Sequence, residues 1–260
     1  MSSSTSSDIV VQARHLGKAY QLYARRNDWL KQVMFGWYKS YFKPFWVLRD
    51  IDLEVRRGES IGILGRNGCG KSTLLQVICG MTLPSHGELR VSGRIAPVLA
   101  LGSTFDLELS GRENIFIGGA VLGLKRAEIL KKFDSIAEFA GIGDYMEQPC
   151  KHYSMGMRTR LAFSICAHVE ADILVVDEAL SVGDAAFQRK CLDWIDGFRK
   201  RGTLLFVSHS MAEVRRLCSR AIWIEDGRIR SEGDPNEVIR GYQRALLVEK
   251  DDVHRFSAGR

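Results

Sequence analysis

The stretch SIGILGRNGCGKST, Ser60–Thr73, decides the fold. Residues 60–65 read as a buried strand that runs into a glycine-rich loop, and residues 71–80 read as the helix that follows. Gly65-Arg66-Asn67-Gly68-Cys69-Gly70-Lys71-Ser72 matches G-x-x-x-x-G-K-[ST] in full, in the strand–loop–helix setting that gives the match its meaning. Glycines at these positions let consecutive N–H groups turn inward around a phosphate. The helix starting near Lys71 adds the positive end of its dipole. Lys71 is placed to reach the β- and γ-phosphates, and the Ser72 hydroxyl to ligate Mg²⁺. Residues Gly65 to Thr73 are therefore the expected nucleotide cradle.

Downstream, ILVVDE at 173–178 is four aliphatic residues followed by two acids. An acid closing a buried strand, Asp177, can hold Mg²⁺. Glu178, one step further out, can polarise an attacking water. Many strands end in acids, so this pattern gains its force from the phosphate loop upstream.

The rest of the chain alternates strand-like and helix-like segments. Strands are expected at 9–13, 46–55, 87–101 (with a turn at Ser92-Gly93), 203–210 and in a hairpin over 221–233 that turns at Asp226-Gly227. A helix-rich stretch from Ser110 to about Ala167 interrupts them, and residues 127–142 put Ile129, Phe133, Ile136, Phe139 and Ala140 on one face. Further helices are expected over 185–202, over 211–218 and from Pro235 to about Leu247. A short amphipathic helix within 27–42 is interrupted by Gly36 and ended by Pro44. The pattern is an α/β nucleotide-binding core with a helical subdomain.

Composition is that of a folded domain: 260 residues, 45% hydrophobic, 26% charged, net charge +6. No apolar run approaches the ~20 residues that cross a bilayer, and the polar MSSSTSSD lacks the apolar segment of a secretory signal. The six cysteines form no CxxC pair, so free thiols in a reducing compartment are expected and a zinc site has little support.

The charge is concentrated. Between positions 18 and 49 stand seven basic residues and one acid, Asp28, interleaved with ten aromatics from Tyr20 to Trp46. Such a segment suits a membrane–water interface, a partner groove or nucleic acid. The plain alternative is an insertion that folds back and buries its rings, which has less weight than the interface near a bilayer or membrane partner.

Taken in order, these motifs resemble the ATP-binding subunit of an ATP-binding-cassette transporter, from about Val10 to about Leu247. Tyr153-Ser154-Met155-Gly156-Met157 stands where that family has its signature sequence, Ser181-Val182-Gly183-Asp184 where it has its D-loop, and His209 where it has its switch histidine. Tyr20, after Gly17-Lys18-Ala19, is placed like the aromatic that stacks on adenine. The resemblance implies a P-loop NTPase with a RecA-like core, an antiparallel β subdomain and an inserted helical subdomain. It divides the chain into an ATP-binding domain over 1–250, a helical subdomain over about 105–167, a basic aromatic insertion over about 21–46 and a polar tail over 251–260.

It further implies ATP and Mg²⁺ as cofactors. Two copies would pair head to tail, with Ser154 and Gly156 of one copy meeting the γ-phosphate held by Lys71 and Ser72 of the other. Glu178 would activate water and His209 would orient it. The signature usually has two adjacent glycines followed by Gln, whereas here Met155 and Met157 flank Gly156. This form, together with LALGSTFDLELSGREN at 99–114, is similar to the subgroup that exports surface polysaccharides. The family's Mg²⁺-contacting glutamine is missing from that stretch; Leu101 could not ligate a metal, Ser103 is a candidate substitute, and the sequence assigns the role to no residue.

The expected activity is ATP hydrolysis that drives export of a lipid-linked glycan. The expected setting is the cytoplasmic face of the inner membrane, with two ATPase subunits beside two copies of a multi-spanning permease. The alternatives are another exported substrate, or a soluble ATPase of the same family acting on nucleic acid or ribosomes. The latter usually shows a long coiled-coil insertion or two tandem cassettes, and neither is present in this sequence.

Overall fold

The computed structural model describes residues 8–25, 27–35, 37, 42–98, 105–177 and 184–257, with backbone alone at 35 and 248–257. A small sheet packs on one face of a large sheet, helices cover the large sheet's other face, and a further group of helices has a core of its own. The large sheet has the strand order β5 (Ile95–Val98), β6 (Ile173–Val176), β7 (Thr203–Val207), β3 (Ser60–Leu64), β8 (Arg220–Glu225), β9 (Arg228–Gly233). Every neighbouring pair is parallel except β8–β9. The strands β3, β6 and β7 are buried along their whole length. That is why they read as continuous apolar runs and not as alternating ones.

The small sheet is antiparallel, in the order β2 (Phe42–Arg56), β1 (Ile9–Tyr23), β4 (His86–Val91). Its inner face (Val11, Leu16, Leu48, Ile51, Val55) packs on Ile61, Ile63, Val175, Leu205 and Val207 of the large sheet. Leu74, Leu75 and Ile78 of α2 (Lys71–Ile78) lie in the same cluster. A short helix, α1 (Asp28–Phe35), stands between β1 and β2.

The helical layer comprises α3 (Gly111–Val121), α4 (Arg126–Ala140) and α5 (Met155–Ala167) around Ile115, Ile129, Phe133, Ile136, Leu161 and Ile165. Ser110 and Glu113 cap α3 reciprocally, each side chain taking up the other's backbone N–H. On the far face of the large sheet lie α6 (Ala185–Phe198), α7 (Met211–Leu217) and α8 (Pro235–Ser257), which bury Phe187, Ile195, Phe198, Leu217 and Ile239. This is the RecA-like core with antiparallel and helical subdomains that the motifs imply.

Several sequence expectations shift. The strand expected at 9–13 continues to Tyr23, and the one expected at 46–55 starts at Phe42. Pro44 therefore ends no helix. It lies within β2, opposite Gln21, where an edge strand tolerates a residue that cannot donate to a ladder. The strand-like run 87–101 separates at Ser92-Gly93 into β4 and β5, which belong to different sheets; residues 99–104 lie outside the described residues. The expected helix at 185–202 closes at Phe198, and the strand expected at 203–210 closes at Val207. The last helix continues through residues expected to be a polar tail.

Of the face expected on α4, Ile129, Phe133, Ile136 and Ala140 are buried together, while Phe139 turns to Phe163 and Phe187 in the neighbouring cluster. All six cysteines are free. The insertion does not bury its described side chains: Val33 is 76% and Trp37 87% exposed, with Trp29, Leu30 and Met34 also open to solvent. That removes the fold-back reading for these residues.

Candidate active site

Three adjacent parallel strands, in the order β6, β7, β3, present their C-terminal ends to one edge of the large sheet. The pairs Ile63↔Val207 and Val176↔Phe206 keep those ends level. Each end delivers one expected element: the phosphate loop after Leu64, Asp177 after Val176, and Ser208-His209 after Val207. Ligand sites of open α/β sheets form at such carboxyl ends.

The loop has a backbone that only glycine tolerates at two points. Gly65 has φ 151°, and a Cβ there would lie 2.4 Å from the Ile224 carbonyl oxygen; Gly70 has φ 109°, and a Cβ there would lie 2.8 Å from the Val47 oxygen. A bare loop is thereby wedged between β8 and β2. Lys71 is buried, at 6% exposure, and its ammonium donates to the carbonyls of Gly65 (2.9 Å) and Arg66 (3.0 Å). It is held over the loop and not sent into solvent. Gly70 caps α2 without any side chain, so the helix presents first-turn N–H groups that have no intrahelical acceptor. Ser72 is exposed and Thr73 half-buried on that turn. A buried cation, a side-chain-free cradle and a helix N-terminus together fit a nucleotide's phosphates.

Asp177 is half-buried, and its N–H donates to the Val98 carbonyl at 3.4 Å. His209 is exposed and held from both sides. The Ser208 hydroxyl donates to Glu213 (2.7 Å), the Ser210 N–H donates to the Ser208 hydroxyl (3.0 Å), and the Ser210 side chain caps α7 by accepting from the Glu213 N–H (3.3 Å). This knot fixes the backbone on which His209 rides. Glu178 and residues 181–183 lie outside the described residues, as do Leu101 and Ser103. Among the described residues, the only group assembled like a metal site is exposed His15, Asp50 and Asp52 on the small sheet. These pair with one another, and none belongs to the phosphate loop.

The signature residues stand elsewhere in the chain. Ser154 caps α5 by accepting from the Met157 N–H (3.2 Å), and Gly156 lies in the first turn. That helix packs on α3, α4, α6 and β5. Asp184 caps α6 in the same manner, accepting from the Phe187 N–H (2.8 Å), and pairs with Arg160 of α5 at 3.6 Å. The Phe187 N–H, with Arg160 beyond it, holds the Asp184 carboxyl below the usual carboxylate range. Burial pushes the Cys69 thiol up, against the pull of the Lys71 charge.

Beside the loop lies a cavity of ≈ 570 Å³, walled by Phe45, Trp46 and Arg49 of β2, Arg66 and Gly68 of the loop, and Asp226 of the β8–β9 turn. Tyr20 is not in that wall. Phe45 and Trp46 follow Pro44 and read in the sequence as insertion aromatics and the start of a strand, with no link to the phosphate loop; the cavity brings them beside it.

This geometry defines a P-loop nucleotide hydrolase. Residues 48–181 match the family described as "ABC transporter". The chain is 43% identical over 255 residues to the ABC transporter protein AbcA of Aeromonas salmonicida, covering 96% of this chain and 81% of that one. It is 40% identical to the O-antigen export system ATP-binding protein RfbB of Klebsiella pneumoniae, covering 91% and 98%. It is 43% identical to the teichoic acids export ATP-binding protein TagH of Listeria monocytogenes, covering 90% and 70%. In structure it matches an ATP binding subunit of an ABC transporter with TM-score 0.72 at 20% identity, covering 92% and 98%. The chain belongs to the ABC transporter family and is an ATP-binding and ATP-hydrolysing member of it. No helix among the described residues is long and apolar enough to cross a membrane.

Proposed function

We propose that this chain is the ATPase subunit of an exporter that moves a lipid-linked polysaccharide or teichoic-acid-like polymer across the inner membrane. The observation that carries the ATPase reading is the convergence of the phosphate loop, Asp177 and His209 on one sheet edge. The substrate class is supported by the O-antigen and teichoic-acid export relatives. In this reading Gly65–Thr73 cradle the phosphates, and Lys71 neutralises charge on the β- and γ-phosphates. Ser72 and Asp177 would hold Mg²⁺, which supplies charge neutralisation at the phosphoryl group. Glu178 accepts a proton from the attacking water, and His209 orients that water.

Ser154 and Gly156 sit at a helix N-terminus suited to a second copy's γ-phosphate, so two subunits would close on two nucleotides. Two copies of a multi-spanning permease complete the assembly, which works from the cytoplasmic face as a peripheral subunit. The exposed, basic ribbon tip around Trp29 and Trp37 suits contact with that permease or the membrane surface beside it.

The test is Glu178→Gln. ATP binding should stay within about twofold of the parent, while steady-state hydrolysis falls by about 10²–10⁴, the range contributed by a positioned base. Unchanged hydrolysis would remove Glu178 from this role.

A further inference from the structure

Helices α3 and α7 start with the same residue types at the same spacing, Ser110 with Glu113 and Ser210 with Glu213. At α3 the two side chains cap each other's backbone directly. The Ser110 hydroxyl accepts from the Glu113 N–H (3.2 Å), and the Glu113 carboxylate accepts from the Ser110 N–H (2.8 Å). At α7 the first bond is the same: the Ser210 hydroxyl accepts from the Glu213 N–H (3.3 Å). The return bond is relayed. The Ser210 N–H donates to the Ser208 hydroxyl (3.0 Å), and that hydroxyl donates to the Glu213 carboxylate (2.7 Å). A hydroxyl from the residue that follows β7 is thus inserted into the capping box of α7.

The inserted hydroxyl changes what the box holds. A direct box closes the helix start and leaves residue 208 outside it. The relay ties residues 208, 210 and 213 together, so the backbone is held on both sides of His209. The helix is in turn fixed to the strand that feeds the phosphate loop. Val214, next to Glu213, is fully buried, and a Cβ on Gly62 of β3 would lie 2.5 Å from Val214 Cγ1 and 3.1 Å from Cys218 Sγ. A bare residue at 62 lets α7 approach β3 this closely. Gly62 stands shortly before Gly65, where the phosphate loop begins. Glu213 and Val214 therefore do two jobs side by side: one holds the backbone that carries His209, the other seats the helix on β3.

We propose that Ser208 and Glu213 are positioning residues for ATP hydrolysis, the Glu213 carboxylate acting through the Ser208 hydroxyl to hold His209 in register with the phosphate loop. The proposal rests on the reading of His209 as the group that orients the attacking water. Both residues act through His209, so they set the rate of hydrolysis and not the affinity for nucleotide.

The experiment is steady-state ATP hydrolysis by the full chain, with kcat and KM separated, beside thermal melting of each variant. In Ser208→Ala the Glu213 carboxylate can take the Ser210 N–H directly, as Glu113 takes that of Ser110. The helix then stays capped, and the melting temperature should stay within about 3 °C of the parent. Its kcat should fall by about 10- to 100-fold, the scale of a misplaced catalytic group, with KM within about twofold. Glu213→Ala should lose a similar share of the rate. Glu213→Gln, whose amide oxygen still accepts from Ser208, should keep most of it. In a His209→Ala background, Ser208→Ala should cause no further loss, because residues that act as a unit are not additive. Unchanged kcat in Ser208→Ala and Glu213→Ala, or a full further loss in the His209→Ala background, would overturn the proposal. So would a fall in kcat that follows a lowered melting temperature across the variants, which would mean a destabilised helix. If His209→Ala hydrolyses ATP like the parent, the reading of His209 falls and the proposal falls with it. That result is distinct from a loss in His209→Ala with none in the other two.

Discussion

Cys69 stands inside the phosphate loop, half-buried, between Gly68 and Gly70. Burial raises its thiol above the ordinary 9.0, and the neighbouring Lys71 charge offsets only part of that rise. Below pH 7 to 8 the nucleophilic thiolate is therefore a minor species, at most about one part in a hundred at pH 7. Iodoacetamide should modify Cys69 slowly at neutral pH, with the rate rising about tenfold per pH unit until past pH 9. Once attached, the adduct should lower nucleotide affinity, and Cys69→Ala should be immune to the reagent. Equal inhibition of Cys69→Ala would show that the effect comes from another site. Gly65 and Lys71 were legible at this scale without a structure, because a loop that wraps phosphate needs those residue types at that spacing. The crowding that forbids a Cβ at Gly65 was not legible, because the obstructing oxygen belongs to Ile224, far along the chain.

Among the elements, the start of α6 joins the site to the helical layer. Asp184 caps it, accepts from the Phe187 N–H and pairs with Arg160, whose guanidinium also lies 5.0 Å from the Phe187 ring centroid. The folded-state pKa of Asp184 is depressed, chiefly by the Phe187 N–H and next by Arg160. Its stabilising contribution is thus fully present above the unfolded carboxylate value. It is lost as pH falls through that value toward the lower folded one. Asp184→Asn keeps a capping oxygen but cannot titrate. The melting-temperature gap between parent and variant should be widest near pH 6 and should narrow on acidification below about pH 4. A gap that stays constant across that interval would show that the carboxylate's charge does not stabilise the fold. The cap itself was open to reading from the sequence, since an Asp before an amphipathic run is a common helix start. Its Arg160 partner was not, because α5 and α6 meet only through tertiary packing.

At the scale of the whole molecule, the long β1–β2 ribbon carries α1, with its exposed Trp29 and Val33, and exposed Trp37 just beyond it. An exposed apolar group rimmed by basic side chains marks an interaction surface. Replacing both Trp29 and Trp37 by Ala should reduce co-sedimentation with anionic lipid vesicles by about tenfold or more. Soluble ATP hydrolysis should stay within about twofold, since neither side chain lines the cavity at the phosphate loop. If vesicle binding does not change, the ribbon is a protein-contact surface and the lipid reading falls. The segment's composition pointed to an interface but left burial open, because the same rings serve either outcome; only strand pairing decides whether they face a core.

Local sequence carried the phosphate loop and the buried strands of the core. The phosphate loop and the run ILVVDE are local patterns whose meaning follows from backbone geometry and burial within a few residues. Tertiary structure alone decided which strand joined which sheet, why Pro44 is tolerated, and which aromatic side chains reach the cavity. Those outcomes depend on hydrogen-bond register between strands distant in sequence, such as Tyr20 opposite Phe45 and Gln21 opposite Pro44. A one-residue change in that register turns a side chain to the other face of the sheet, and no local pattern encodes it.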